Sequence, residues 1–383
     1  MTVHASEAGH EAVTSRRIRV VHALRPHWPL APILAYGAAI GFWFLPQRGS
    51  VFIDEGYQLL EARWFAHKFG YVILHLFNFD ARKFLLSNGN GVPPTYAKPL
   101  HATLDAVALK IFPGSGPTRV LILQALFGLA TVALVYVIAF RLAGRTAAVA
   151  SATVLATSAG FLAYRRAGLP ESDSVFFFTA AVTALVLFSD RGLLTPRRSL
   201  IIGFLAGCCF TANDRWYLAL PLILLMAVIL DTRHRGWTRP SHLAGLTVGV
   251  VAGFLVMAFG FEAMSILMSR MARAHHITLR YEAYFHQLRR RYDSIRLRHL
   301  GPHVGNIPHT PYVGYIRSFE GAVWGLMIAA LATLCAVRPR RSHFVALAWL
   351  LVPFLLVSAS PLAAPRYMSI IWPALALVAG LGI

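Results

Sequence analysis

Residues 52–57 read FIDEGY, and residues 96–100 read YAKPL. FIDEGY comes soon after a long apolar run, and YAKPL precedes the next segment of the predicted bundle. Asp54 and Glu55 therefore lie at a membrane surface, and Lys98 returns to that surface about forty residues later. A carboxylate can take or hold a proton, and an ammonium group can hold a phosphate. The stretch predicts a site for anionic chemistry at the edge of a membrane protein.

The composition predicts an all-α polytopic membrane protein. Hydrophobic residues make up 57% of the chain and charged residues only 14%, whereas soluble proteins carry about 25% charged residues. Apolar runs of roughly twenty residues recur, and each can cross about 30 Å of hydrocarbon. We predict about ten transmembrane helices, at residues 28–45, 119–140, 146–163, 174–188, 200–212, 217–230, 243–268, 319–337, 344–358 and 367–383.

Residues 1–27 form a predicted cytoplasmic segment, and residues 28–383 one membrane domain. With the N-terminus inside, the inner segments carry fifteen Lys and Arg residues, against four in the short outer connections. This bias is the positive-inside rule, and it sets the orientation. The acid-bearing loops then all lie on the outer face, so we expect the chemistry there.

Two outer loops are too long to be simple connectors. In the first, residues 46–117, the segment 54–71 has helical spacing with aromatic residues and reads as an interfacial helix. The second, residues 269–318, carries nine arginines and few acids. The positive-inside rule does not explain a basic outer loop, so we expect an anionic partner such as a phospholipid headgroup, a polyprenyl phosphate or an acidic glycolipid. Orientation explains much of the net charge of +20, and no nucleic-acid partner is predicted.

The turn at residues 166–173, which reads RAGLPESD, supplies the next candidates. The functional interpretation places Glu171 or Asp173 opposite Asp54, and Arg166 near a phosphate. The structural alternative is a polar turn broken by glycine and proline. Equally, the acidic pair could be a helix cap and Lys98 could reach the interface without binding anything.

Two basic positions further along the chain extend the predicted anion site. Arg215 follows an acid inside an apolar region, and the two charges could simply neutralise each other. Arg366, followed by Tyr367, precedes the last span. No residue is assigned as a metal ligand, and metal dependence stays open, because a carboxylate cluster can hold Mg²⁺ or Mn²⁺.

These motifs resemble those of the GT-C superfamily of polyprenyl-phosphate-dependent glycosyltransferases. The likeness is to the branch that holds the lipid A aminoarabinose transferases and the bacterial relatives of protein O-mannosyltransferases. The matching pieces are FIDEGY, YAKPL, and residues 118–119, 136–144, 166–178, 365–367 and 372–373. Residues 56–58 read GYQ where the aminoarabinose branch often has an arginine, which leaves the sugar open.

The resemblance implies an inverting transfer of a sugar from a polyprenyl-phosphate donor to a lipid or cell-envelope acceptor, such as a lipid A-like molecule. It implies a bacterial cytoplasmic membrane, with the active site on the periplasmic face. Asp54 would be the general base beside Glu55, and Glu171 would complete the acidic cluster, with Asp173 as a secondary acid. The donor phosphate would be held by Lys98, Arg366, Tyr367, Arg166 and Arg215.

A transporter or flippase for an anionic lipid or glycan is the alternative from a different class. It would use the same arginines without Asp54 as a base. Transporters tend to hold ionisable residues near the middle of the membrane, often on broken helices. Here the charges gather at one face, which favours the transferase. A catalytically inactive relative that acts as a scaffold is a third hypothesis.

Overall fold

The computed structural model describes residues 27–43, 45, 53–75, 77–87, 98–190, 192–213, 219–235, 239–276, 285–290, 293, 321, 329–330, 333, 341–358 and 369–382. Across these residues the regular structure is helical, without strands. The helices are numbered here α1 Leu30–Phe42, α2 Ile53–Leu74, α3 Ala81–Leu86, α4 Pro99–Ile111, α5 Gly116–Ala143, α6 Arg145–Thr157, α7 Ala159–Arg165, α8 Glu171–Asp190, α9 Pro196–Ala212, α10 Ala219–Arg235, α11 Pro240–Ala274, α12 Arg341–Ser358 and α13 Trp372–Leu381.

The helices confirm a polytopic membrane protein. By length and apolar composition, α5, α8 and α11 can each cross a membrane, and α6 with α7 can form a fourth, bent span. Shorter apolar helices include α1, α10, α12 and α13. Each predicted span except the eighth overlaps one of these helices or α9. The eighth, at residues 319–337, lies largely outside the described residues.

The third predicted span, residues 146–163, is wrong as a continuous helix. It breaks between α6 and α7, which meet at 62°. Ser158 stands at the break with non-helical backbone angles, and its hydroxyl accepts the N–H of Phe161 at 3.0 Å. A serine in this position caps a new helix N-terminus, so α7 starts in a new direction.

The most extensive contact between described helices joins α9 to α11. Gly203 and Gly207 of α9 face Gly249 and Gly253 of α11, and a methyl group added at Gly203 would lie 3.0 Å from the Cα of Gly249. Small residues let membrane helices approach closely. This contact holds α9 in place, so that its C-terminal end packs near the start of α4.

The predicted helix in the first long loop is confirmed as α2, and its position relative to a membrane surface stays a prediction. Its Phe65 ring lies 5.7 Å from the ring of Phe261 on α11. α2 packs mainly against α4, and a methyl group on Gly70 would lie 3.3 Å from Nζ of Lys110. The last turns of α2 and α4 lie together, so their first turns lie together at the other end of the pair.

α11 continues to Ala274, so residues 269–274 of the predicted basic loop are helical.

Candidate functional site

The first turns of α2, α4 and α8 meet in one region. Oε1 of Glu55, in the first turn of α2, accepts the backbone N–H of Gly168 at 2.9 Å. Five residues later, Oδ2 of Asp173 in the first turn of α8 lies 2.9 Å from Nδ1 of His101 in the first turn of α4. The segment 168–173 therefore contacts both other helices. Three positive helix-dipole ends lie together, which favours bound negative charge.

Glu171, the first residue of α8, is a buried carboxylate. Only 3% of the residue is exposed, and its Oε2 has no hydrogen-bond partner within the described structure. Burying an ionised carboxylate without a partner is unfavourable. Its place at a helix N-terminus offsets part of that cost. The free oxygen of this carboxylate can accept a hydrogen bond from a polar group of a ligand.

Lys98 is the residue immediately before α4, and its side chain is partly exposed. Pro99 follows as the first helical residue, where its missing N–H leaves no hydrogen bond unmade. The ammonium group of Lys98 acts electrostatically on His101, which in turn contacts Asp173. The fold thus brings the predicted phosphate-binding lysine to the region that holds the predicted acids.

A buried polar network joins α4, α5 and α8. The imidazole of His101 lies between two carboxylates, with Nδ1 2.9 Å from Asp173 and Nε2 3.4 Å from Asp105. The second contact has an ion-pair distance without hydrogen-bond alignment. Gln124 of α5 donates from Nε2 to Oδ1 of Asp105 at 3.1 Å. All four residues are fully buried, so these contacts form in the absence of bulk water.

The surroundings shift the pKa values within this network. Burial alone would lower the pKa of His101, but the charges of Asp105 and Asp173 outweigh it and raise the pKa to about 9. Burial raises the pKa of Asp105 to about 7, against the opposing effect of the His101 charge. His101 is therefore protonated at neutral pH, and its titration is coupled to that of Asp105.

Two of the other predicted site residues lie in the described part of the chain, and three lie outside it. Asp54 lies in the first turn of α2 and is partly exposed. Arg166 follows α7, and its Nη2 donates to the carbonyl of Trp43 just after α1. Three predicted anion contacts lie outside the described residues, so their roles stay predictions: Arg215, Arg366 and Tyr367.

Sequence reasoning missed His101, Asp105 and Gln124. The available signal was a histidine and an aspartate four positions apart, on one helix face directly after Lys98. The partnership of His101 with Asp173 spans 72 positions and depends on how α4 packs against α8. Tertiary packing of this kind leaves no local pattern in the sequence.

Arg165, the last residue of α7, is buried deep in the bundle, with 1% of its surface exposed. Its Nη2 donates to the carbonyl of Gly37 on α1 at 3.0 Å. Its Nε and Nη1 have no hydrogen-bond partner in the described structure. Gly128 of α5 makes room for it, since a methyl group there would lie 2.7 Å from the Cβ and Cδ of Arg165.

The described carboxylates do not fit the predicted Mg²⁺ or Mn²⁺ site. Among the residues described, no three His, Cys, Asp or Glu side chains are grouped to hold a metal ion. Two of the acids already have protein partners, since Glu55 accepts the N–H of Gly168 and Asp173 contacts His101. Cys208 and Cys209 are buried and form no disulfide.

The sequence matches one family of known proteins, but it matches no individual curated protein. The family described as "Dolichyl-phosphate-mannose-protein mannosyltransferase" matches residues 93–259. The matched segment contains Lys98, the His101 network and Glu171, and it begins after Asp54. Among curated proteins, none matches the chain by sequence.

Solved structures share the fold. ArnT from Cupriavidus metallidurans bound to undecaprenyl phosphate matches with a TM-score of 0.67 at 17% identity, over 92% of this chain and 59% of that one. The archaeal oligosaccharyltransferase AglB from Archaeoglobus fulgidus, in complex with an inhibitory peptide and a dolichol-phosphate, matches with a TM-score of 0.58 at 14% identity, over 94% of this chain and 50% of that one. The chain thus spans little more than half the length of these proteins. The chain is a multi-pass membrane protein that shares the fold of these solved structures, and its residues 93–259 match the mannosyltransferase family.

Proposed function

We propose that the chain is an inverting glycosyltransferase that moves a sugar from a polyprenyl-phosphate donor to a lipid or cell-envelope acceptor on the outer face of a bacterial cytoplasmic membrane. The convergence of three helix N-termini, seen in the contacts of segment 168–173 with Glu55 and His101, is the observation that carries this proposal. It supports the proposal because Asp54 as the base, Glu171 as a buried acid and Lys98 would then lie in one region, as transfer from an anionic lipid requires.

The proposed reaction is a single displacement. The acceptor hydroxyl gives its proton to Asp54 while its oxygen attacks the anomeric carbon of the sugar. The bond from that carbon to the phosphate oxygen breaks, and its electron pair leaves with the polyprenyl phosphate. The ammonium group of Lys98 and the helix N-termini stabilise the negative charge that develops on the phosphate. One displacement inverts the anomeric centre and needs no covalent sugar–enzyme intermediate.

The two other acids have distinct roles in this proposal. Oε2 of Glu171 has no hydrogen-bond partner among the described residues, so it can accept a hydrogen bond from a hydroxyl of the acceptor. Glu55 holds the turn before α8 through Gly168 and so sets the position of Glu171. Asp173 is engaged by His101, which supports Glu171 over Asp173 as the second acid at the acceptor.

The structural neighbours support the substrate class. The structures of ArnT and AglB contain undecaprenyl phosphate and dolichol-phosphate respectively, and both are lipids with a phosphate head. Another AglB structure contains Zn and sulfate. Because the described carboxylates of this chain do not group around a metal ion, no step above runs through one.

The test is a transfer assay on the purified protein in lipid nanodiscs. The protein is incubated with a panel of polyprenyl-phosphate sugars and a lipid extract, and released polyprenyl phosphate is measured. We expect release with at least one donor, and a fall in kcat of about 10²–10⁴-fold in Asp54→Asn, since this is the usual contribution of a general base. Asp80→Asn is the matched control, because Asp80 caps α3 on the exposed surface. Unchanged turnover in Asp54→Asn would remove Asp54 from the mechanism.

One observation favours the transporter alternative. The span formed by α6 and α7 is broken by 62°, and Arg165 is buried at its end with unpartnered donors in the described structure. Broken helices and buried charges are typical of transport sites. Movement of a labelled polyprenyl-phosphate sugar across vesicles, lost in Arg165→Gln but retained in Asp54→Asn, would favour transport. Release of polyprenyl phosphate that needs Asp54 would favour the transferase.

A further inference from the structure

We infer that His101 is a positioning residue: as an imidazolium held between Asp105 and Asp173, it locks the first turn of α4 to the first turn of α8. This inference rests on the proposed function, because it assigns His101 the task of fixing Lys98 relative to Glu171. His101 itself touches neither of these residues through a described hydrogen bond, so it acts through the helices that carry them.

The geometry fits a charged imidazole. Both ring nitrogens face carboxylate oxygens, at 2.9 Å for Asp173 and 3.4 Å for Asp105. A neutral imidazole has one N–H and one lone pair, so it would turn the lone pair toward one of the two carboxylates. The carboxylates are already acceptors elsewhere, from the N–H of Ser174 and the amide of Gln124. A doubly protonated His101 presents an N–H to each of the two carboxylates, as a hydrogen bond to Asp173 and an ion pair with Asp105.

The network connects the two ends of the proposed site. Lys98 precedes His101 by three positions, which is less than one turn of helix. Glu171 precedes Asp173 by two positions at the start of α8. A movement of α4 relative to α8 would therefore change the distance between the lysine and the acid. Because burial excludes water from the network, one lost contact has no solvent replacement.

The groups around His101 determine how it responds to pH. These are Asp105 on α4, Lys98 immediately before α4, and Asp173 on α8. α5 contributes the uncharged amide of Gln124. α9 contributes the thiol of Cys209, which donates to the carbonyl of Ser174 next to Asp173. The negative charges of Asp105 and Asp173 outweigh the positive charge of Lys98 and favour the imidazolium. Removal of either carboxylate charge should therefore lower the pKa of His101.

The experiment measures binding of undecaprenyl phosphate and transfer kinetics across pH 6 to about 10 in nanodiscs, a range that spans the pKa of about 9 for His101. The variants are His101→Gln, which is neutral and carries its N–H donors on one nitrogen only, and Asp105→Asn, which keeps the shape and removes one charge. His75→Gln is the control, since His75 follows α2 and contacts the carbonyl of Tyr71.

We expect His101→Gln to weaken lipid-phosphate binding and to lower kcat/KM by up to about a hundredfold, as small misplacements of reacting groups do. The wild type should lose affinity as the pH approaches 9, and Asp105→Asn should lose it at lower pH. If His101 had only a structural role, the pH at which affinity is lost would be the same in Asp105→Asn and the wild type. Wild-type pH profiles in both His101→Gln and Asp105→Asn would overturn the inference. If the wild type neither binds nor uses any polyprenyl phosphate, the proposed function fails, and the role of His101 fails with it.

Discussion

The carboxylate of Glu55 accepts a hydrogen bond from the backbone N–H of Gly168, 113 positions away in the sequence, at 2.9 Å. This bond connects the first turn of α2 to the turn that precedes α8. Its donor is a buried backbone amide, which needs a partner in any stable fold. The acidic pair at residues 54–55 therefore has a structural as well as a proposed chemical part, and variants can separate the two.

Glu55→Ala should destabilise the protein, whereas Glu55→Gln should not. Alanine leaves the N–H of Gly168 buried and unpaired, which costs about 1–3 kcal/mol. Glutamine retains a carbonyl oxygen that can accept the same bond. Thermal unfolding in detergent measures the difference, and we expect a lower Tm in Glu55→Ala alone. Equal Tm values for the two variants would show that the hydrogen bond contributes nothing to stability.

Stability should fall as the pH rises through the alkaline range. The pKa of His101 is about 9 in the folded protein against an ordinary value of 6.5. The folded state therefore binds the proton more tightly, so this contribution is fully present below pH 6.5 and is lost as the pH rises through about 9. Tm measured between pH 6 and about 9.5 tests the slope, and His101→Gln should flatten it. The same slope in both proteins would contradict the charged state assigned to His101.

The raised pKa of Asp105 predicts a separate loss of stability, at lower pH than the loss caused by His101. Its pKa is about 7 in the folded protein against an ordinary value of 3.8, so its protonated form is favoured by folding. Stability from this group is complete below pH 3.8 and declines as the pH rises through about 7. Asp105→Asn, which cannot ionise, should be less sensitive to pH than the wild type between pH 4 and 7. The same dependence of Tm on pH in Asp105→Asn and the wild type would show that ionisation of Asp105 does not cause the loss of stability.

Lys68 and Lys83 offer a matched pair in and beside the short helix α3. Nζ of buried Lys68 donates to the carbonyls of Phe84 and Leu85 at the end of α3. Lys83 is exposed, and its ion pair with Asp80 spans 3.8 Å. Lys68→Ala removes the ammonium donor to Leu85 and leaves the carbonyl of Phe84 with the hydroxyl of Ser87, and it should cost about 1–3 kcal/mol. Lys83→Ala should barely change Tm, because exposed ion pairs contribute little. A larger effect at Lys83 would contradict this view of α3.

The contact between α9 and α11 predicts intolerance to any side chain at Gly207. A methyl group there would meet the carbonyl of Val250 and lie 3.1 Å from the Cα of Gly253. Gly207→Ala should therefore separate the helices and lower both Tm and the yield of folded protein. Gly260→Ala is the control, because that helical position is open, and alanine favours helix by about 1 kcal/mol over glycine. Similar losses at both positions would mean that helix packing is not the cause.

Much of the fold follows from sequence patterns. Apolar runs located most helices, and aromatic spacing located α2 within the first loop. The break at Ser158 was missed because hydropathy continues across it, and only the capping bond to Phe161 interrupts the helix. Part of the candidate site could also be predicted from the sequence. Lys98 and Glu171 stand next to proline-marked turns that sequence reasoning can recognise. The contacts of Glu55 with Gly168 and of His101 with Asp173 depend on tertiary packing, which no local pattern records.

A structure of this protein with bound undecaprenyl phosphate tests the central claim most directly. The account predicts the phosphate in the region where α2, α4 and α8 begin, within hydrogen-bond distance of Nζ of Lys98 and on the same side of the bundle as Glu171. A phosphate held instead by the basic loop at residues 269–318 or beside Arg165, with Lys98 unengaged, would contradict it.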